Sequence, residues 1–176
     1  HQNFYSVVPA YKNYISATIN GKVRMDDKTP KNIEGLSTHY LKVCFCVIFF
    51  SRESGRVSLI HIQTFRSNSD QAFHEEVVWV TKGDFSLAKD VSVCICRNKK
   101  YLDERPDNIV TQKMGLLLSS WSSLLTVELG VRSENIHLLD ANSGAVAIVR
   151  SDYSLIIPEH KLLENIDHPI TTIGTQ

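Results

Sequence analysis

Leu41 to Phe50 is nearly all apolar and rich in β-formers; Ser51-Arg52-Glu53-Ser54-Gly55 interrupts it with a turn, and Arg56 to Gln63 (RVSLIHIQ) resumes it. Two such segments joined so closely predict an antiparallel hairpin buried on at least one face. The apolar stretch Cys44 to Phe50 is far below the ~20 residues that span a bilayer, so it reads as a core strand. A chain of 176 residues, 43% hydrophobic and 22% charged, has the composition of one ordinary globular unit that builds its core without staples.

The remaining elements follow from pattern and punctuation. Residues 1–14 carry Phe4, Tyr5, Tyr11 and Tyr14 without a period and read as an N-terminal arm. Ile15 to Met25 alternates on either side of Asn20-Gly21, which predicts a second hairpin. Asp26 to Gly35 is a polar loop. Ser69 and Asp70 cap a helix running to Lys82, with Phe73, Val77, Val78 and Val80 as its apolar stripe. Val91 to Cys96 is a short core strand. Pro106-Asp107 opens a long helix over Asn108 to Leu129, ended by Gly130, with Trp121 and its leucines as core. Three strands follow, Ile136–Leu139, Ala145–Arg150 and Ser154–Ile157, and 158–176 reads as a tail. The order predicts a single α+β domain over 1–176, a layered, sandwich-like sheet core flanked by two helices.

Lys+Arg and Asp+Glu are both 19, so no net field draws the chain to nucleic acid or to an anionic membrane, and a protein or small-molecule partner is favoured. His1-Gln2-Asn3-Phe4 shows no basic region leading into an apolar stretch, so no signal peptide is visible. The four cysteines fall in two Cys-x-Cys pairs, Cys44/Cys46 and Cys94/Cys96, inside apolar strands. That usage predicts reduced thiols, and spacing this tight within strands argues against a zinc site, so neither metal nor cofactor is expected.

A thiol becomes a nucleophile when an imidazole takes its proton and a third group holds that imidazole. Cys44 and His61 lie on opposite arms of the predicted hairpin, and Thr38 stands six residues before the cysteine. The stretch Thr38-His39-Tyr40-Leu41-Lys42-Val43-Cys44, the apolar strand behind it, Gly55 and then His61 resemble the bacterial chemoreceptor glutamine deamidase CheD. The cytotoxic necrotizing factor toxins share that fold and the Cys–His chemistry. The resemblance is sharpest over residues 38–62 and looser from about 69 to 157.

It implies a protein glutamine deamidase with Cys44 as nucleophile, His61 as general base and Thr38 as the residue that orients the ring, the backbone amides of Val43 and Cys44 forming the oxyanion hole. It also implies a protein substrate, either a host signalling protein such as a small GTPase or a chemoreceptor, and a place in the bacterial cytoplasm or, after delivery, in the host cytosol. The sequence departs from the family at Lys42-Val43, where small residues usually precede the cysteine, and at Ile62-Gln63, where CheD proteins tend to carry Leu-Pro. These departures favour a divergent effector or toxin over a chemotaxis protein.

Several alternatives stand beside this reading. Cys46 competes with Cys44 for the nucleophile's role. His137 and Asp140 invite a papain-like triad with Cys44 and a cysteine protease, although alternation makes His137 an exposed strand residue and Asp140 a turn residue. His39 reads as a surface residue or a substrate contact, and His74 as solvated. An amine in place of water would give transglutamination. A non-catalytic interaction module on the same fold is the rival from another class.

Overall fold

The computed structural model describes residues 13–64, 69–81, 90–157 and 161–165. The predicted hairpin forms as β4 (Cys44–Ser51) and β5 (Arg56–Gln63), paired antiparallel from Cys44↔Gln63 to Ser51↔Arg56. Gly55 closes the turn at φ +72°, a left-handed conformation that favours glycine, and its N–H bonds to Ser51 O at 2.9 Å. All eight residues of β4 are buried, because both faces of the strand are covered, and this is why its sequence shows no polar alternation.

Five strands build the sheet around this hairpin, in the order β2 (Lys22–Met25), β5, β4, β6 (Ser92–Arg97) and β7 (Ile136–Asp140). A second five-stranded sheet runs β1 (Tyr14–Ala17), β3 (Gly35–Thr38), β8 (Val146–Val149), β9 (Ser154–Ile157) and β10 (Lys161–Asn165). Cys44, Cys46, Ile48 and Phe50 on β4 pack with Leu36, Val146, Ile148 and Leu155 in one core between the sheets. Phe45, Val47 and Phe49 face the other way, into a second core shared with the helices α1 (Ser69–Thr81) and α3 (Ile109–Ser123). The molecule is thus an α+β stack of sheet, sheet and helices.

The helices obey their end signals. Asn108 caps α3 through a bond from Val110 N at 2.9 Å. The helix then widens over Leu124–Glu128, where Leu129 N–H reaches Leu124 O, and Gly130 at φ +69° stops it. Trp121 is core, stacked on Phe73 at 4.6 Å with its indole N–H donating to Asp70 at 2.8 Å. Val78 and Ile109, expected within apolar stripes, are exposed. A five-residue helix, α2 (Lys99–Asp103), was not anticipated; Asn98 caps it, accepting from Tyr101 N.

Four expectations need correcting. Asn20-Gly21 does turn the chain, with Gly21 N bonded to Thr18 O at 2.8 Å, but β1 and β2 join different sheets, so the turn is an arch between layers rather than a hairpin. Gly35 to Thr38, read as loop end and strand approach, forms β3 in the sheet opposite the Cys44 hairpin. His137 is buried, because β7 also has both faces covered. The segment 158–176, expected as a tail, contributes β10. The arm at residues 1–12, Lys82 at the end of the first predicted helix, and 166–176 lie outside the described residues.

Candidate active site

The hairpin register fixes which residues meet. Thr64 N–H donates to Val43 O, which makes Cys44↔Gln63 and Cys46↔His61 the pairs without mutual backbone hydrogen bonds, whose side chains approach most closely. Cys44, Cys46 and His61 therefore share the face turned to the opposite sheet, with His61 directly across from Cys46 and diagonal to Cys44. Diagonal neighbours remain within reach of long side chains. The backbone N–H of His61 is held by Gly21 O at 3.0 Å.

Thr38 reaches this face from the other sheet. Its hydroxyl donates to Ala17 O at 2.8 Å and lies 2.8 Å from His61 Nδ1, with all three residues buried. A hydroxyl has a single proton to give. With that proton on Ala17 O, the oxygen accepts from His61, so Nδ1 carries the hydrogen and Nε2 keeps the lone pair. Nε2 is buried and has no hydrogen-bond partner among the described residues. Cys44 and His61 are therefore not joined by a thiol–imidazole hydrogen bond.

Burial sets the protonation of both groups. It pushes the Cys44 thiol up to about 11, opposed by a backbone hydrogen bond from Lys42, and pulls His61 down to about 4, helped by the nearby His39 charge. The resting pair is a neutral thiol and a neutral imidazole.

The two cysteines of β4 differ in surroundings. Cys44 lines an open, mainly apolar depression of about 320 Å³ together with Ile19, Tyr40, Lys42, Val43 and Gln63. Cys46 is fully buried and engaged with Cys96, which in turn contacts Cys94, Sγ to Sγ 3.8 Å. All four thiols are free, and no group of three or more His, Cys, Asp or Glu among the described residues is placed to hold a metal ion.

The loop leading into Cys44 is firmly held. Tyr40 adopts φ +65°, Leu41 N–H bonds to Gly144 O, and Asn98 Nδ2 donates to Leu41 O, each at 2.9 Å for the two bonds. Val43 O accepts from both Thr64 N–H and the Thr64 hydroxyl. His39 is half-buried beside the Tyr40 ring, 4.9 Å away. His74 is exposed, as expected, its Nδ1 2.8 Å from Asp70 O.

The papain-like constellation is not assembled. His137 sits level with Cys94, hence with Ile48, two strands from β4 and four residues along it from Cys44; strand spacing and rise put the two roughly 16 Å apart. Asp140 ends β7 and meets Arg97 Nε at 3.4 Å. Sequence reasoning did not find the Ala17 carbonyl, the Asn98 brace or the reciprocal contact between Asn20 and Gln63. Only the Asn20-Gly21 turn signal pointed toward the last of these.

The site thus combines a thiol at an opening with an imidazole whose tautomer is imposed by a buried hydroxyl. No protein-family model matches the chain, and no curated protein matches it. Among solved structures it is similar to the hypothetical protein YfiH of Bacillus licheniformis, at 14% identity over 79% of this chain and 70% of that one, with a TM-score of 0.48. It is also similar to YlmD of Geobacillus stearothermophilus, at 12% identity over 78% and 67% of the two chains, with a TM-score of 0.44. Likeness at this level bears on neither the family nor the chemistry of this chain.

Proposed function

We propose that the chain is a protein glutamine deamidase in which Cys44 is the nucleophile, His61 Nε2 the base, and Thr38 the residue that positions the ring. The observation that carries this reading is the relay from Ala17 O through the Thr38 hydroxyl to His61 Nδ1, which leaves Nε2 as a buried, unpartnered acceptor on the cysteine's face. Buried polar atoms are nearly always satisfied, and an orphan of this kind calls for an explanation. A proton to be accepted from a thiol supplies one.

With the thiol near 11 and the imidazole near 4, the proton stays on sulfur until a substrate arrives. Cys44 Sγ then attacks the side-chain carbonyl carbon of a glutamine while its proton passes to Nε2. The tetrahedral oxyanion collapses, Nε2–H protonates the departing nitrogen, and ammonia leaves a thioester. Water, deprotonated by the same nitrogen, hydrolyses the thioester to glutamate and restores the thiol. The spacing Thr38-x5-Cys44-x16-His61 shared with CheD supports the same assignment.

A local depression at Cys44 suits a single inserted side chain better than an extended peptide, which favours amide hydrolysis over proteolysis. The rival reading, an interaction module without catalysis, draws on the missing Cys44–His61 hydrogen bond. Incubating the native protein and Cys44→Ala with eukaryotic and bacterial cell extracts separates the two. Tryptic peptides in which glutamine has become glutamate should appear with the native protein alone; identical peptide maps would refute the enzyme.

A further inference from the structure

Gln63 stands directly opposite Cys44 across the hairpin, in one of the pairs whose side chains lie closest. Cβ atoms in such a pair are about 4.5–5.5 Å apart. The same register turns the Cys44 amide to the flank of β4 away from β5, where β6 pairs only from Cys46 onward. A hydrogen-bond donor reaching the reacting carbon from the β5 side is therefore a side chain.

The orientation of the Gln63 carboxamide is fixed by donor and acceptor logic. Its backbone N–H, which can only donate, meets Asn20 Oδ1 at 3.1 Å. The other atom of that amide, Asn20 Nδ2, can likewise only donate, and it meets Gln63 Oε1 at 3.1 Å. What remains of Gln63 is Nε2, a pure donor, on a residue that lines the same depression as Cys44. Asn20 is itself set at φ +64°, in the turn whose Gly21 carbonyl holds His61 N–H. One turn thus grips both the base and Gln63.

Building on the deamidase reading, we propose that Gln63 Nε2–H is the oxyanion donor of this site, clamped by Asn20, in place of the small-residue turn that Lys42-Val43 displaces. In the attack step the Sγ–C bond forms, the carbonyl π pair moves to oxygen, the thiol proton goes to His61 Nε2, and the oxygen's new charge is held by Gln63. When the oxyanion collapses, the C–N bond breaks and ammonia leaves with the proton from Nε2.

The test compares two alkylating probes on the full chain by intact mass: a blocked glutamine analogue whose side-chain carboxamide is replaced by a chloromethyl ketone, and iodoacetamide. The first passes through a tetrahedral oxyanion at the carbonyl carbon, and the second does not. Gln63→Leu should slow the chloromethyl ketone on the order of 100-fold while leaving iodoacetamide within about threefold, with Asn20→Ala intermediate. Unchanged chloromethyl ketone rates in Gln63→Leu would overturn the proposal, as would equal slowing of both probes, which marks a packing role. A native Cys44 inert to the chloromethyl ketone yet open to iodoacetamide would remove the deamidase reading itself, an outcome distinct from either.

Discussion

Replacing Thr38 by Val removes a single hydroxyl at nearly constant volume and strands two buried groups at once, the Ala17 carbonyl and the His61 Nδ1–H. A buried polar group without a partner costs about 1–3 kcal/mol, so the two together cost about 2–6 kcal/mol, of which the extra methyl offsets about 1 kcal/mol. For a chain of this length that corresponds to a fall in melting temperature of roughly 2–20 °C. Thr38→Ser keeps the hydroxyl and should stay within about 1 kcal/mol of the native protein. The chemical consequence is separate. Without an acceptor at Nδ1 the imposed tautomer is lost, and deamidation should fall on the order of 100-fold, a typical share for a positioned general base. Chemical denaturation gives the first quantity, and long-range proton–nitrogen NMR correlations of the imidazole show which nitrogen carries the hydrogen. A Thr38→Val protein of unchanged stability, with His61 still protonated at Nδ1, would refute the relay.

Two further perturbations test the frame around the site. The folded-state value of His61, about 4, lies below its ordinary 6.5, so protonation favours the unfolded chain; the contribution is complete above pH 6.5, is lost as pH falls toward 4, and amounts to about 3 kcal/mol. Urea titrations at pH 7 and pH 4 should show this loss in the native protein and not in His61→Leu; equal acid sensitivity of the two would contradict the neutral buried imidazole. At Gly35 an added Cβ would lie 2.2 Å from Ile148 O and 2.3 Å from the Tyr14 ring, so Gly35→Ala should destabilise the protein by about 3 kcal/mol or more, shifting the strand that carries Thr38. A melting temperature unchanged in Gly35→Ala would show that β1 and β8 do not close on β3 as described.

How much of this was legible in the sequence depended on whether each feature was local. The β4–β5 hairpin was readable because an apolar run, a turn and a second run lie within 23 residues of one another, and that reading put Cys44 and His61 on one ribbon. The partnership of Thr38 with His61 crosses from one sheet to the other, and a four-residue strand such as β3 has no period long enough to declare itself. Asn20-Gly21 specified a chain reversal correctly, but turn chemistry does not say which sheet each flanking strand joins, and here they part. Alternation misplaced His137 because it signals exposure only when one face of a strand is wet, whereas β7 packs Ile136 and Leu138 against the helices and Leu139 against the second sheet. The spacing from Thr38 and the start of the strand favour Cys44 over Cys46 in the sequence; the fold adds a physical difference, an opening at one thiol and a chain of buried sulfurs at the other.

The claim that Cys44 hydrolyses glutamine side chains is tested most directly by supplying cell extracts whose glutamine carboxamides carry nitrogen-15 and following labelled ammonium by NMR. Ammonium release is expected from the native protein, none from Cys44→Ala, and release close to native from a folded Cys46→Ala. Release that survives in Cys44→Ala, or that disappears only with Cys46, would contradict the claim.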